Sequence, residues 1–264
     1  MEACITIGAY DIAYREVGIG NSVTVVFAHG LGGNLEQWTK QIDYFKQAYH
    51  VIAFSLQGHG KSTKVDDQTA YTIDAYAQTA VKLLELLQVK NCIWVGNSMG
   101  GVIGYHILSN YSDLITMLIT NGTTPRLVFS KTALKLVKVI DRILLRLLGF
   151  HGYVRFAANN STKIKSVQKD IYDMMIETHP QAVIESHQLL GNYDYIKTIM
   201  ATLIPIYIIQ TPKDKDINRS IDRLKKDLNK QDMLTFHPLT SGGHIVNMEE
   251  PELYNGTVGI LLKQ

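Results

Sequence analysis

The sequence has few cysteines, no leader-like pattern in its first residues and no long apolar run, and each of these absences narrows the class of protein that we expect. Its 264 residues include two cysteines, Cys4 and Cys92, which lie far apart in the chain. A disulfide framework or a zinc site is therefore not expected. No apolar run approaches ~18 residues, and the first residues do not form a basic segment followed by an apolar one. These features predict a cytoplasmic protein.

Motifs for cofactors and nucleic acids are also missing. The chain has no Gly-x-x-x-x-Gly-Lys loop to cradle phosphates and no His-Glu-x-x-His pair, so no cofactor is implied. The formal net charge is only +2, and no recognised module for nucleic acid accompanies the basic residues, so we expect no nucleic acid partner. The hydrophobic content of 46% is enough for one α/β core with an elaboration.

Strand-like apolar runs alternate with helical patterns towards both ends of the chain. This alternation predicts a mostly parallel sheet with helices on both faces. Residues 73–87 form a helical pattern that Thr72 can cap. The first two strand-like runs, separated by residues 8–10, predict an antiparallel hairpin at the sheet edge. The predicted strands cover residues 5–7, 12–15, 23–28, 51–54, 93–95, 115–119, 206–209 and 234–236.

The motif Gly-Asn-Ser-Met-Gly at residues 96–100 contains the candidate nucleophile, Ser98. It follows an apolar run and opens a helical pattern, so the serine lies on a tight turn between a buried strand and a helix. Such a turn strains the backbone of the serine. Glycine is needed two positions before and after it, because a Cβ there would collide with the neighbouring elements. This pattern is typical of the nucleophile elbow of a serine hydrolase.

A nucleophilic serine needs a histidine to accept its proton and a carboxylate to orient that histidine. His244, in a glycine-containing loop before the last predicted helix, is the candidate base, and His237 inside a strand pattern is the second choice. The acid is expected in the loop that follows residues 204–209. Two carboxylates lie there, and Asp214 is favoured over Asp216. The chain order is then serine, acid, histidine.

Two backbone N–H groups are predicted to bind the oxyanion that forms during the reaction. One belongs to Met99, directly after the nucleophile. The other belongs to Leu31, in the glycine-rich loop after residues 23–28, where the glycines let the backbone turn inward. His29 and His59 lie in comparable glycine-containing loops and are expected to shape those loops rather than to catalyse.

Together these segments resemble the α/β-hydrolase fold family, and the resemblance runs nearly end to end. It implies a central sheet flanked by helices, a helical cap and a lipase-like serine carboxylesterase site. Two positions depart from the family pattern. Ser55 stands where Asp is frequent and Thr211 where Gly is frequent, but the resemblance implies no catalytic role for either residue. The segments that carry the resemblance are residues 29–33 and 58–62, the turn around Ser98, Asp194, Asp214, residues 243–244 and residues 249–252.

The type of nucleophile separates the activities found in that family. Dehalogenases and epoxide hydrolases have an aspartate at the elbow, so Ser98 excludes both. The elbow also resembles that of carbon-carbon bond hydrolases of ring-fission products, but those enzymes usually have an aromatic residue after the catalytic histidine, and this chain has Ile245. The resemblance implies an esterase for small-molecule esters of small to medium acyl chain. The alternatives are a carbon-carbon bond hydrolase and a ligand receptor that retains the catalytic residues.

About eighty residues separate the predicted strands near Ile115 and Ile204, which is too long for a structureless loop. We therefore predict a helical cap, residues 124–202, inserted into a catalytic core of residues 1–123 and 203–264. Its first helix is expected over residues 131–148. The apolar side chains expected to roof the acyl pocket are those of Leu134, Val137, Ile140, Leu144, Leu147 and Leu148.

Positive charge is concentrated in this predicted cap. Residues 126–170 include ten Lys or Arg and two Asp. Three interpretations stay open, namely solvated side chains above a roof of leucines, contact with an anionic membrane surface, and steering of acidic substrates. The basic residues that recur on one face of the predicted helix are Lys131, Lys135, Lys138, Arg142 and Arg146.

Overall fold

The computed structural model describes residues 2–264, and its main feature is an eight-stranded sheet. Residues 2–264 form ten strands, of which all but β7 and β8 belong to this sheet. They are β1 (Glu2–Ile7), β2 (Tyr10–Val17), β3 (Thr24–Ala28), β4 (His50–Phe54), β5 (Cys92–Asn97), β6 (Ile115–Asn121), β7 (Arg126–Val128), β8 (Asn192–Asp194), β9 (Ile206–Gln210) and β10 (Leu234–Pro238). The sheet has the order β1-β2-β4-β3-β5-β6-β9-β10. The last six strands in this order are parallel, and the predicted hairpin of β1 and β2 is confirmed at the edge.

Helices cover both faces of the sheet. They are α1 (Thr39–Phe45), α2 (Ile73–Leu86), α3 (Met99–Asn110), α4 (Lys131–Ser161), α5 (Lys165–Ile176), α6 (Pro180–Leu189), α7 (Ile196–Ala201), α8 (Lys215–Leu228), α9 (Val246–Glu249) and α10 (Pro251–Leu261). Thr72 caps α2 as predicted, because its hydroxyl accepts from the N–H of Ala75 at 3.1 Å. Within residues 2–264, no helix is long and apolar enough to cross a bilayer.

Successive side chains of the central strands point to opposite faces of the sheet, so their apolar residues form two buried clusters, one on each face. Val26 and Trp94 belong to one cluster, whereas their chain neighbours Phe27 and Val95 belong to the other. All four side chains have no exposed surface. Such burial on both faces is typical of a parallel sheet with helices on either side, and it confirms the predicted α/β fold.

Residues 124–202, here called the insert, lie between β6 and β9. They form α4 to α7 and a separate two-stranded ribbon in which β7 pairs antiparallel with β8. The helix predicted over residues 131–148 is present and continues to Ser161 after a kink at Gly149, whose φ is 63°. A left-handed residue inside a helix interrupts the helical hydrogen bonds, and glycine adopts that conformation at little cost.

The parallel strands bring distant loops to one edge of the sheet. β3, β5, β9 and β10 point the same way, so the loops that follow them meet beyond their carboxyl ends. Ligands of open α/β sheets bind at this edge. Four of the five predicted site residues lie in these loops, and Met99 is the first residue of α3, which follows β5.

Candidate active site

Ser98 occupies a strained turn between β5 and α3. Its φ is 50° and its ψ is −115°, and Gln88 is the only other non-glycine residue with positive φ within residues 2–264. Such a conformation costs roughly 1–3 kcal/mol, so the surroundings must hold it in place. A Cβ at Gly96 would collide with the backbone of Gly100, and one at Gly100 with the carbonyl of Ala28. The two glycines of the motif therefore allow the helix to pack against the sheet directly behind the serine.

His244 and Asp214 meet directly although they come from different loops. The His244 Nδ1 lies 2.8 Å from the Asp214 Oδ2. The carboxylate side chain is only 10% exposed, whereas the imidazole is 39% exposed. Because a carboxylate accepts the Nδ1 proton, the neutral ring has its free lone pair on Nε2. The pair therefore has the arrangement of an oriented general base.

Asp216, the other candidate acid, lies in a different environment. Its side chain is 91% exposed and pairs with Arg219 at 2.9 Å within α8. Exposed pairs of this kind are weak and screened by solvent. Between the two acids of this loop, the geometry favours Asp214 as the partner of the imidazole.

Ser98 opens onto the same cavity as His244 and Asp214. No hydrogen bond joins the Ser98 hydroxyl to the imidazole in the part of the chain that the structure describes. Hydrogen bonds of this kind are frequently long in ligand-free enzymes and tighten when substrate binds. The structure thus places the three residues around one space, with a direct bond between two of them.

The two predicted oxyanion donors lie next to the serine in different ways: Leu31 lines the same cavity, and Met99 directly follows Ser98 at the start of α3. A Cβ added to Gly30 would lie 3.3 Å from the Cβ of Ser98, so the loop that carries Leu31 runs beside the serine. Within residues 2–264, neither N–H has a hydrogen-bond acceptor. Met99 begins α3, and the first N–H groups of a helix lack partners inside the helix. Both donors are available to a ligand.

The remaining candidate histidines are not placed as bases. The His29 Nδ1 donates to the carbonyl of Gly30 at 2.7 Å, and its Nε2 accepts from the N–H of Leu56 at 3.0 Å. Burial lowers the pKa of His29 to about 4 and that of His59 to about 3, so both rings are neutral. His237 lies on β10 and is not among the residues that line the cavity. These placements agree with structural roles for His29 and His59.

A buried amide network that the sequence did not predict connects the site loops. Asn97, directly before the serine, donates through Nδ2 to the carbonyl of His244 at 2.8 Å. Its Oδ1 accepts from the Gln37 Nε2 at 2.8 Å, and the Gln37 Oε1 accepts from the N–H of Gly30 at 3.1 Å. Asn97 and Gln37 therefore connect the loops that carry the nucleophile, the histidine and Leu31. The only sequence signal was a polar residue at the end of a buried strand.

The cavity has a volume of about 1050 Å³. We call the sheet-edge loops below it the floor and the cavity-lining residues of the insert the roof. The roof is mostly apolar, as predicted, but the α4 side chains that contribute to it are only partly those expected. Leu134 and Val137 line the cavity. The expectation was wrong for Leu144, which packs in a small core inside the insert, and for Ile140, Leu147 and Leu148, which are exposed to solvent.

A second histidine-carboxylate pair lies within the roof and was also missed. The buried Asp141 accepts from the Tyr153 hydroxyl at 3.1 Å and from the His187 Nδ1 at 2.9 Å. Burial and the Asp141 carboxylate raise the pKa of Tyr153 well above its usual range, so its hydroxyl stays protonated and donates. Tyr153 and His187 both line the cavity. The roof therefore presents the hydrogen-bonded polar groups of Tyr153 and His187 to the cavity.

Residues 23–170 match the family model of the α/β hydrolase fold. The chain belongs to this family. Over 125 residues the hydrolase is 32% identical to 3-oxoadipate enol-lactonase 2 of Acinetobacter baylyi, a match that covers 46% of each chain. It is 22% identical to Karrikin insensitive 2 receptor IA of Petunia hybrida over 96% of this chain and 93% of the receptor. A thermophilic esterase from Thermogutta terrifontis has the same fold, with a TM-score of 0.85 and 19% identity. The match covers 100% of this chain and 98% of the esterase.

Proposed function

We propose that this α/β hydrolase is a serine carboxylesterase for esters of small to medium acyl chain. The observation that carries the proposal is the 2.8 Å contact between His244 and Asp214 at the cavity onto which Ser98 opens. A serine that attacks an ester needs an oriented base of this kind to accept its proton. The names of two similar proteins, an enol-lactonase and an esterase, support the same class of reaction.

The proposed reaction has two halves with a covalent intermediate between them. Ser98 attacks the ester carbonyl while His244 takes the hydroxyl proton, and Asp214 stabilises the imidazolium that forms. The imidazolium then protonates the leaving alcohol. Water, deprotonated by the same imidazole, attacks the acyl-enzyme and releases the acid. No group of three His, Cys, Asp or Glu among residues 2–264 is arranged to hold a metal ion.

The N–H groups of Leu31 and Met99 would stabilise the tetrahedral intermediate of each half. Both lack acceptors and lie beside the serine. One such donor is typically worth about 2.7–4 kcal/mol of transition-state stabilisation. We further propose that the insert acts as a cap whose apolar roof binds the acyl chain, because Leu134 and Val137 lie over the cavity. The cytoplasmic location remains a prediction from the sequence.

The test is hydrolysis of p-nitrophenyl esters from acetate to dodecanoate by the parent and by Ser98→Ala. We expect the variant to lose about a thousandfold or more in kcat, since the nucleophile is removed. Ser220→Ala is the matched control, because the hydroxyl of this half-buried serine on α8 bonds only to the carbonyl of Asp216. Equal turnover by parent and Ser98→Ala would refute the proposal. Cleavage of a vinylogous diketone, with every ester ignored, would favour the carbon-carbon bond hydrolase.

A ligand receptor is the second candidate function. It is supported by the relative named as a karrikin receptor, whose match covers 96% of this chain. A receptor that retains the catalytic residues would release one equivalent of p-nitrophenol and then turn over very slowly. An esterase would continue at a steady rate after any burst. The steady-state rate therefore distinguishes the two functions in the same assay.

A further inference from the structure

The first half of α4 leaves a row of large apolar side chains uncovered. These side chains are between 45% and 74% exposed. Successive members are three, one, three and four residues apart, which places them along one side of the helix. The row is about 16 Å long at 1.5 Å per residue. We call it the apolar stripe, and its members are Leu136, Val139, Ile140, Ile143 and Leu147.

Four basic residues lie beside the apolar stripe on the same exposed side of the helix. All four are exposed, and none forms an ion pair with a residue in the range 2–264. Asp141 is the one acidic residue between positions 131 and 148, and it is buried with both oxygens bonded. The exposed face therefore carries positive charge without compensation. We call these residues the basic stripe, namely Lys131, Lys135, Arg142 and Arg146.

The apolar stripe is separate from the cavity. The inner face of the same helix already packs on the protein, because Leu134 and Val137 line the cavity and Leu144 packs in the small core of the insert. Lys138, the fifth basic residue of the helix, pairs with Glu185 at 2.9 Å. Contiguous exposed apolar side chains on a protein surface mark a contact site. The stripe needs an occupant that the described chain does not supply.

We propose that this face docks on an anionic membrane surface, with α4 lying in the plane of the interface. The apolar stripe would enter the boundary of the acyl chains, and the basic stripe would lie among the anionic headgroups. Charge complementarity selects this occupant. A second copy of the chain would bring two sets of four unpaired cations together, which opposes self-association through this face. This docking is independent of the proposed esterase activity.

The size of the effect follows from the number of groups involved. Each Lys or Arg near an anionic surface strengthens binding about fivefold. Arg142→Gln with Arg146→Gln should therefore weaken binding roughly 25-fold. Burial of half a Leu or Ile side chain contributes a further fivefold or so. Leu136→Gln, Ile143→Gln and Leu147→Gln together should weaken binding by about a hundredfold or more.

The experiment is co-sedimentation of the full chain with vesicles of phosphatidylcholine alone or with phosphatidylserine added. We expect the parent to bind the anionic vesicles, with an affinity that falls as salt is raised. The double arginine variant should bind roughly 25-fold more weakly and the triple glutamine variant about a hundredfold more weakly. Arg223→Gln with Lys226→Gln is the matched control, since it removes two exposed charges from α8, where no large apolar side chain is exposed. This control should bind like the parent. Glutamine has a helix propensity close to that of leucine, so thermal unfolding should not change.

A fluorescence measurement separates insertion from simple charge attraction. In a Cys4→Ser background, Ile143→Cys labelled with an environment-sensitive nitrobenzoxadiazole should brighten and shift to the blue on anionic vesicles. Binding without that change would overturn the proposed role of the apolar stripe. Absence of binding to anionic vesicles at low salt would overturn the docking itself. Lipid-free self-association that the triple glutamine variant abolishes would instead assign the face to a second copy.

Discussion

The floor of the cavity has buried polar side chains that bond to one another, whereas the insert above it leaves large apolar side chains exposed. Asn97 and Gln37 are 1% and 5% exposed and bond across three loops. Leu136 and Leu147 of the insert are 58% and 74% exposed. Removal of a bonded buried group leaves its partner unsatisfied, but change at an exposed apolar site costs little. The floor is therefore expected to be sensitive to substitution and the outer face of the insert tolerant of it.

The largest effect is expected where the floor holds the base. Asp214→Asn should lower kcat for a p-nitrophenyl ester by about 10⁴-fold, because the amide no longer favours the required tautomer or stabilises the imidazolium. Asp216→Asn, in the same loop but 91% exposed, should change kcat less than threefold or so. Steady-state kinetics and thermal unfolding of both variants give the measurement. Equal losses in the two variants would place the acid elsewhere.

Acid pH should lower the free energy of unfolding, because two histidines of the floor are buried and neutral in the folded state. Burial holds the pKa of His29 at about 4 and that of His59 at about 3, below the ordinary value near 6.5. As the pH falls below 6.5, the unfolded chain binds protons that the native state does not, so the free energy of unfolding decreases. The slope is about 1.4 kcal/mol per pH unit for each ring.

Urea unfolding at pH 7 and pH 5 tests this expectation. The two rings together should lower the free energy of unfolding by about 4 kcal/mol over this interval. His59→Phe removes one of the two titrating rings, so the loss contributed by the pair should be halved. An unchanged pH dependence in His59→Phe would mean that the buried ring is not neutral in the native state.

Two asparagines allow the floor and the roof to be compared directly. Asn97→Ala should lower the free energy of unfolding by about 3 kcal/mol, since it leaves the His244 carbonyl with only the 3.4 Å bond from Asn121 and the Gln37 amide with only the 3.5 Å bond to Asn247. It should also lower kcat, because the loop of the histidine loses an anchor. Asn160→Ala in the roof should cost less than about 0.5 kcal/mol, because this exposed amide bonds only within its own helix. Similar costs at both sites would remove the distinction between floor and roof.

The smallest effect is expected on the choice of acyl chain. Val137→Phe narrows the cavity, so kcat/KM for an octanoate ester should fall about tenfold relative to the acetate ester. Val139→Phe, two residues further on the outer face of α4, should leave this ratio unchanged. A chain-length series with both variants gives the measurement. A parallel response of the two would show that the outer face also contacts the acyl chain.

The fold and the convergence of the candidate site residues were predictable because the signals that place each residue at a strand end are local. A strand followed by a glycine-flanked serine and a helix is encoded in five consecutive residues around Ser98. The parallel sheet then brings His244 and Asp214 to the same edge from their positions after β10 and β9. Alternation of apolar runs was sufficient to predict all eight strands of that sheet.

The rest depended on contacts between segments distant in sequence. The partners of Asn97 lie in other loops, and the His187 partner of Asp141 lies in another helix, so no spacing in the chain indicates them. The helical pattern of residues 131–148 predicted an amphipathic helix but not which apolar side chains face the cavity. Two apolar rows lie on that helix, and only packing decides that Val137 is inside and Ile140 outside.

The bend at Gly149 divides α4 into two parts that both line the cavity, and the first part also has an exposed outer face. Asp141 precedes the bend, and one of its oxygens holds Tyr153 from beyond it while the other holds His187 of α6. A displacement of the first half would therefore also move Tyr153 and His187, both of which line the ligand space. The Asp141 carboxylate thus connects the exposed first half of α4 with two polar side chains at the ligand space.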